Sequence, residues 1–575
     1  MATEIRKVTA PDVEFGTGNA TSAGGHVGAK INASHIPVVL GNNALSLNDA
    51  VTAIYDARAY AVGDGTTNDA AGLQTAATAA AGGDLYLKKG RVFAIASAIS
   101  LPSNIRVYGG GEIKLIGNSD VFVIDGKTNV TIEDIIINGN KATYTSVNND
   151  GISSPANGVG SSNILIKDVY IRDMGGAGIA FLAQTGSHSK NIRILNTRVE
   201  NVGTQGIIGQ DYVDDFLALN CRVVNFGLAY ADRPGITSGR SSKNSQVLGC
   251  YVESDGNSLG ASSHGISIEG ADGVASGNIV RGTVGYGIEV GLSSNVVVSG
   301  NEVSEGANYG IVLSGWESEG AANVVSVDGN IIKNCVGGIF AFVTDHSAVW
   351  VENISVRGNS IDSNDQVGIY FRDVRHATVS GNMISNNGQS GIYIHNSTEV
   401  DIIGNKHNNN NTNADAGHDA NVRVIAGCVA IRINGYIARD SAGYATSGTG
   451  EDNLFTITIP RYYYKNYRGI RFTTAGTKSG AGGNKTIKFY WGGTAYIVHA
   501  AANNANDWRI SGEILFHSAT FQEIGWVGWD GSTPLQGYED GVINMSAADT
   551  ILKFTGECAD AGDAIQQNQV LIEVF

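Results

Sequence analysis

The chain has 575 residues, 77 of them glycine and only 7 proline, and its 42% apolar content is enough for a long core. A net charge of −16 argues against nucleic acid as a partner and favours solubility. The opening MATEIRKVTAPDVEFG lacks an apolar signal segment, and no run reaches the ~18 apolar residues of a membrane span, so no membrane partner is expected. Five cysteines without C-x-x-C spacing, and no P-loop or nucleophile elbow, give no reason to expect a metal or cofactor.

Residues 1–45 are rich in Gly, Ala, Asn and Ser and are expected to form a small anchor. In residues 46–90, Asp69 or its neighbours Thr67 and Asn68 can cap an Ala-rich helix through about Ala81. Gly82-Gly83 stops that helix and DLYL begins a strand. The run YDARAYAVGDGTTNDAAG, with Tyr60, Gly63, Asp64, Gly65, Asn68 and Asp69, resembles the N-terminal signature of the pectate-lyase-like β-helix family. The resemblance implies a helix that plugs the open end of a solenoid, where core and unpaired strand edges would otherwise meet water.

Residues 91–424 carry a repeat. Gly-Ile pairs begin at Gly151, Gly178, Gly206, Gly235, Gly265, Gly287, Gly310, Gly338, Gly368 and Gly391, separated by 22 to 30 residues. Gly-Asn pairs run in step at Gly277, Gly300, Gly329, Gly358, Gly381 and Gly404. Units of this length with Ile, Val, Gly and Asn in strand periodicity, and without the leucines of a leucine-rich repeat, point to a right-handed parallel β-helix with one coil per repeat. Glycine would supply corners of positive φ. The asparagines from Asn278 to Asn405 would stack as an amide ladder between coils. Cys221 and Cys250, equivalent in adjacent repeats, are expected as reduced buried thiols.

In residues 425–575 the period disappears, and short aromatic strands with Gly-rich turns signal a C-terminal β-sandwich for trimerisation or carbohydrate binding. Trp491, Trp508, Trp526 and Trp529 are expected as core and interface residues rather than as a sugar face. The fold class is thus all-β. Anchor, capped β-helix and sandwich together resemble a bacteriophage tailspike capsule depolymerase. That resemblance implies a homotrimeric virion component, made in the host cytoplasm, that cleaves a bacterial surface polysaccharide such as a Klebsiella-type capsule. It also implies attachment to another phage tail protein through the N-terminus.

Coil lengths locate a groove. The repeats beginning at Gly265 and Gly287 are short. Preceding coils carry extra residues before their Gly-Ile strand (FGLAYADRP, ESDGNSLGASS) and following coils carry them after it (GWESEGA, VTDHSAV). On its floor two carboxylates point outward, Glu269 and Glu289. One coil step of ~4.8 Å and two residues of ~6.6 Å set their Cα atoms roughly 8 Å apart. Their carboxyl groups can then reach the ~5–9.5 Å range of glycoside hydrolases, and they are the expected catalytic pair. Trp316, Glu317, Glu319, Asp345 and His346 are candidate substrate contacts on one wall, and Tyr230, Asp232 and Arg233 on the other.

Two other functions compete. His264, Tyr286 and Tyr309, each just before a glycine in successive coils, form a candidate column of acid and base for a uronate lyase, with Arg233 or Arg281 neutralising the carboxylate. A non-catalytic adhesin would grip a glycan with the same groove. A further cluster (Tyr370, Arg372, Asp373, His376, Tyr393 and His395) reads as an accessory strip or a solvated face. Few cations are expected on the floor, which favours a neutral or sparsely charged linkage.

Overall fold

The computed structural model describes residues 37–40, 43–46 and 54–575 except 156–157, 256–262, 307, 317–319, 345–348, 414–421, 425–427, 434–435, 441–443, 447, 460–468, 481–483, 503–506, 519, 531–532, 542–544, 546–549 and 575. The chain divides into residues 1–53 and 54–575. In the first unit Pro37–Leu40 pairs antiparallel with Asn43–Ser46; the rest of the expected anchor lies outside the described residues.

The second unit opens with the capping helix, Ala70–Ala79, which packs Ala70, Leu73, Ala76 and Ala77 onto the end of the solenoid core. It stops two residues before the expected end, and of the three candidate caps it is Asn68, not Asp69, that accepts from the helix's first N–H. The Asp69 carboxylate turns back to accept from the backbone N–H groups of Val62 (2.7 Å) and Gly63 (3.0 Å). Asn68 Oδ1 instead accepts from the N–H of Ala70, and also from that of Ala96 on the first coil. The signature therefore ties the turn, the helix and the first coil together.

Each coil contributes one strand to each of three parallel sheets. Around the carboxylates, Ile288–Gly291 lies in the site-bearing sheet, Ser294–Ser299 in the next, and Glu302–Ser304 in the third. Along the site-bearing sheet Ile266, Ile288, Ile311, Ile339, Ile369 and Ile392 stand opposite one another in unbroken register. All are fully buried.

The two glycine sets do different work, which corrects the expectation that both turn corners. Gly300 has φ 62°, and a Cβ there would meet nothing. Gly287 lies outside that left-handed region. A Cβ on it would stand 2.2 Å from Val303 Cγ1 and 2.6 Å from the Gly310 carbonyl oxygen, so glycine is needed there for close approach. After the left-handed corner comes the amide ladder. Asn278, Asn301, Asn330 and Asn359 each donate Nδ2–H to the Oδ1 of the next coil's asparagine at 2.9 Å. Cys250 holds the same place one coil earlier, its N–H donating to Asn278 Oδ1. Cys221 and Cys250 are free thiols.

The C-terminal region is a β-sandwich. One antiparallel sheet orders Gly450–Ile459, Thr550–Cys558, Asn484–Trp491 and Thr494–Ala502. The other includes Ala564–Val574, Gly469–Ser479, Asp507–Phe516, Gln522–Asp530 and Thr533–Gly541. Trp491, Trp508 and Trp526 join Phe472, Phe489 and Phe554 in its core, whereas Trp529 is exposed.

Candidate active site

Glu289 is in register with Ser267 on one side and Val312 on the other. Ile288 and Val290 point into the coil, so alternation sends Glu289 to the outer face of the sheet. Even so it is only 6% exposed. Side chains from neighbouring coils rise around it to form a cavity of about 570 Å³, lined among others by Gln205, Gln210, Asp232, Arg233, Thr237, His264, Tyr286, Ser314 and Phe342.

Glu269 follows the strand Ile266–Ile268 and lines the same cavity. The Ser267 hydroxyl lies 3.1 Å from Glu269 Oε1 and 3.3 Å from Glu289 Oε2. One hydroxyl proton cannot serve two carboxylates at once, so the arrangement is satisfied when one carboxyl is itself protonated. Burial raises the pKa of both groups, and for Glu269 the nearby Glu289 raises it further.

The two differ in their other partners. Glu269 Oε2 accepts from Arg240 Nε and Gln210 Nε2, both at 3.3 Å, so a cation supports its ionised form. Among the described residues the donors to Glu289 are neutral. The Ser314 hydroxyl donates to Oε1 at 3.0 Å, and His264 Nε2 lies 3.2 Å from Oε2. The Tyr286 N–H donates to His264 Nδ1 at 2.9 Å, which fixes the imidazole proton on Nε2. Burial pushes the His264 pKa down to about 4 despite Asp232 nearby, so the ring is neutral at ordinary pH.

The rest of the expected site is only partly assembled. His264 and Tyr286 stack with centroids 4.6 Å apart, but Tyr309 leaves that column. Its ring packs on Phe340 and over Gly337, and its hydroxyl donates to Gln366 Oε1. Arg281 is paired with Glu302 in another sheet, away from the cavity, and does not serve as the expected cation. On one wall Asp232 and Arg233 line the cavity, with the Arg233 guanidinium 4.5 Å above the ring of the half-exposed Tyr230. On the other, Trp316 is not on a loop. It ends the strand Tyr309–Trp316, its backbone paired with Gly320 and Thr344. Glu317, Glu319, Asp345 and His346 lie outside the described residues.

Sequence reasoning missed Ser267, Ser314, Gln210 and Arg240. Serine at an outward position two residues after Gly265 was a readable signal for Ser267, since register places it beside Glu289. Arg240 and Gln210 approach from one and two coils further back and carry no such mark. Among the described residues no group of three or more His, Cys, Asp or Glu is placed to hold a metal, and no helix is long and apolar enough to cross a membrane.

Residues 185–353 and 343–455 match the family model described as a right handed beta helix region. No curated protein matches by sequence. Among solved structures, the chain is similar to the A-module of the mannuronan C-5 epimerase AlgE4 of Azotobacter vinelandii (19% identity, 66% of this chain and 99% of that one, TM-score 0.44). It is also similar to a GH87 α-1,3-glucanase catalytic unit from Streptomyces thermodiastaticus (16%, 65% and 68%, TM-score 0.39). A third such structure is the Dettilon tailspike protein gp208 (14%, 94% and 98%, TM-score 0.33). Coil register and sheet order give this chain the parallel β-helix fold, whose right-handed form is what the family model matched at residues 185–353 and 343–455 describes.

Proposed function

We propose that the chain is a phage tailspike depolymerase that hydrolyses a glycosidic bond of a bacterial surface polysaccharide with Glu269 and Glu289. The observation that carries this reading is the sharing of the Ser267 hydroxyl by two buried carboxyls of raised pKa in one cavity. Glu289, without a cation, is the acid that protonates the leaving oxygen. Glu269, held ionised by Arg240, attacks the anomeric carbon as the leaving oxygen departs with the proton of Glu289, and water deprotonated by Glu289 then cleaves the glycosyl ester and frees Glu269. The two facing oxygens are no farther apart than those two hydrogen bonds laid end to end, a bound that admits both the retaining and the inverting spacing. Attack by Glu269 predicts products that keep the anomeric configuration of the substrate, which proton NMR of the first released ends will read; inverted ends would make Glu269 a base acting through water.

The pH profile has a defined sign. Cleavage should fall on the alkaline side as Glu289 loses its proton. Because burial raises that pKa, the optimum should lie above the ordinary carboxylate range. On the acid side it should fall as Glu269 gains one. An optimum near pH 4 would contradict the assignment.

The lyase reading draws less support. Both His264 nitrogens are engaged and its pKa is low, while burial and Glu289 raise that of Tyr286, so neither is a ready base near neutrality. His264→Ala and Tyr286→Phe should cost far less than loss of either carboxylate, and products should show no absorbance near ~232 nm. Product absorbing there would favour elimination, and absence of new reducing ends would favour an adhesin.

The assembly proposed is a homotrimer on the virion, attached through residues 1–45 to another tail protein and held together by the sandwich, with a Klebsiella-type capsule as target. Ile551 on one sheet and Phe521, Trp529 and Tyr538 at the other leave apolar side chains exposed on the sandwich that subunit contact would cover. Removing residues 430–575 should abolish the trimer in light-scattering measurements; a stable, active trimer without them would refute this role.

A further inference from the structure

From Glu289 an unbroken column of outward positions runs toward the C-terminal end of the same sheet: Val312, Phe340, Tyr370, Tyr393 and Arg423, each directly opposite the last. At ~4.8 Å per coil it covers about 24 Å, room for several sugar rings. The rings do not offer their faces. Phe340 stacks on Tyr370 (4.7 Å) and on Phe342 (4.5 Å), and Tyr393 packs against Tyr370 (5.0 Å). Guanidinium groups take further faces: Arg372 lies 5.3 Å from the centroid of Phe342, and Arg423 lies 5.4 Å from that of Tyr393. What remains for a ligand is ring edges, the positive part of an aromatic quadrupole, and arginine forks.

Two of the arginines beside the groove lack a hydrogen bond at a buried atom. Arg372 Nε, past the carboxylates, and Arg233 Nε, on the wall before them, are buried without a hydrogen-bond partner. Arg372's carboxylate neighbour, Asp373, stands 3.8 Å from Nε, too far for a hydrogen bond. In a chain of net charge −16 these are cations pre-set on aromatic rings, Arg233 on Tyr230 and Arg372 on Phe342.

We propose that the groove takes an acidic polysaccharide laid along the coil axis, its anionic groups gripped by Arg233 before the carboxylate pair and by Arg372 and Arg423 beyond it. This rests on the reading of the cavity as a glycan site, and it replaces the neutral linkage that the sequence favoured.

The test uses the full-length Glu289→Gln protein and bacterial polysaccharides of three kinds: uronate-bearing, phosphodiester-bearing without uronate, and neutral. Each is immobilised intact and after carboxyl reduction. At least one acidic polymer should be retained ~10-fold more tightly than the neutral ones, and retention should weaken between ~50 and ~200 mM NaCl. Adding Arg372→Gln and Arg423→Gln should remove most of that preference and flatten the salt dependence. Arg372→Lys, which keeps charge without the planar fork, should lie between. Loss of binding on carboxyl reduction identifies the anion as carboxylate; retention of the phosphodiester polymer, lost in the double variant, identifies it as phosphate. Equal binding of neutral and acidic polymers, or an unchanged preference in a double variant of normal melting temperature, overturns the proposal. Release of reducing ends by the wild-type protein from the same polymers tests hydrolysis separately, so failure of cleavage and failure of anion selection are distinct results.

Discussion

Replacing Glu289 with glutamine should reduce polysaccharide cleavage at least ~10²-fold while leaving the fold and glycan binding intact. Glutamine has nearly the same shape and keeps an oxygen that can accept from Ser314 or from His264 Nε2, but it cannot give a proton to the leaving oxygen. Glu269→Gln should do likewise, for loss of the attacking carboxylate. The stability change should go the other way. Burial raises the folded-state pKa of Glu289, so its contribution is favourable below the unfolded carboxylate pKa and is lost as pH rises through the folded value. Glu289→Gln, which carries no charge at any pH, should therefore melt no lower than wild type, and higher above neutrality. A catalytic group held against a stability cost is the pattern of an active site. Near-normal cleavage by Glu289→Gln would make this a structural carboxylate and move the search to His264 and Tyr286, or to a site between subunits.

The coil period was legible because it is set by packing. Each Gly-Ile pair places an isoleucine in the core beneath a neighbour's isoleucine, so aligning the pairs gives the true register and, with it, the outward direction of Glu289. What alternation could not convey is that outward need not mean wet. The outer face at Glu289 is walled by residues of other coils that line the same cavity, Asp232 and Arg233 from preceding ones and Phe342 and Thr344 from a following one. Tyr309 was misplaced for a related reason. Position before a glycine fixes where its backbone lies, but the free space over Gly337, two residues before Ile339, draws the ring toward Phe340. Asp69 was one of three caps the sequence offered, but its carboxylate accepts from the turn at Val62 and Gly63, and spacing alone does not say which of the three faces the helix. Ser267 was readable from register beside Glu289, but Ser314 was hidden by commonness, since a serine on an outward face is ordinarily solvated.

Asn330→Ala should be among the most damaging single changes in the solenoid. Asn330 is fully buried. Its Nδ2 donates to Asn359 Oδ1 (2.9 Å) and the Val298 carbonyl (3.0 Å), and its Oδ1 accepts from the backbone N–H of Asn301 (3.0 Å) and from Asn301 Nδ2 (2.9 Å). Alanine strands the Val298 carbonyl and both Asn301 donors in the buried interior of the coil stack. At ~1–3 kcal/mol for each buried group left unsatisfied, the loss is on the order of 5 kcal/mol. Asn405, at the partly exposed end of the ladder, should cost much less, because water can replace its partners. The coils joined at Asn301 and Asn330 carry Glu289 and Ser314 on their outer face, so heat should remove activity from Asn330→Ala together with its β-sheet signal, and at a lower temperature than from wild type. Large chains commonly unfold irreversibly, so the measurement is a half-life at fixed temperature rather than an equilibrium midpoint. An Asn330→Ala protein as long-lived as wild type would show that strand pairing alone holds the stack, with the amide ladder a passenger.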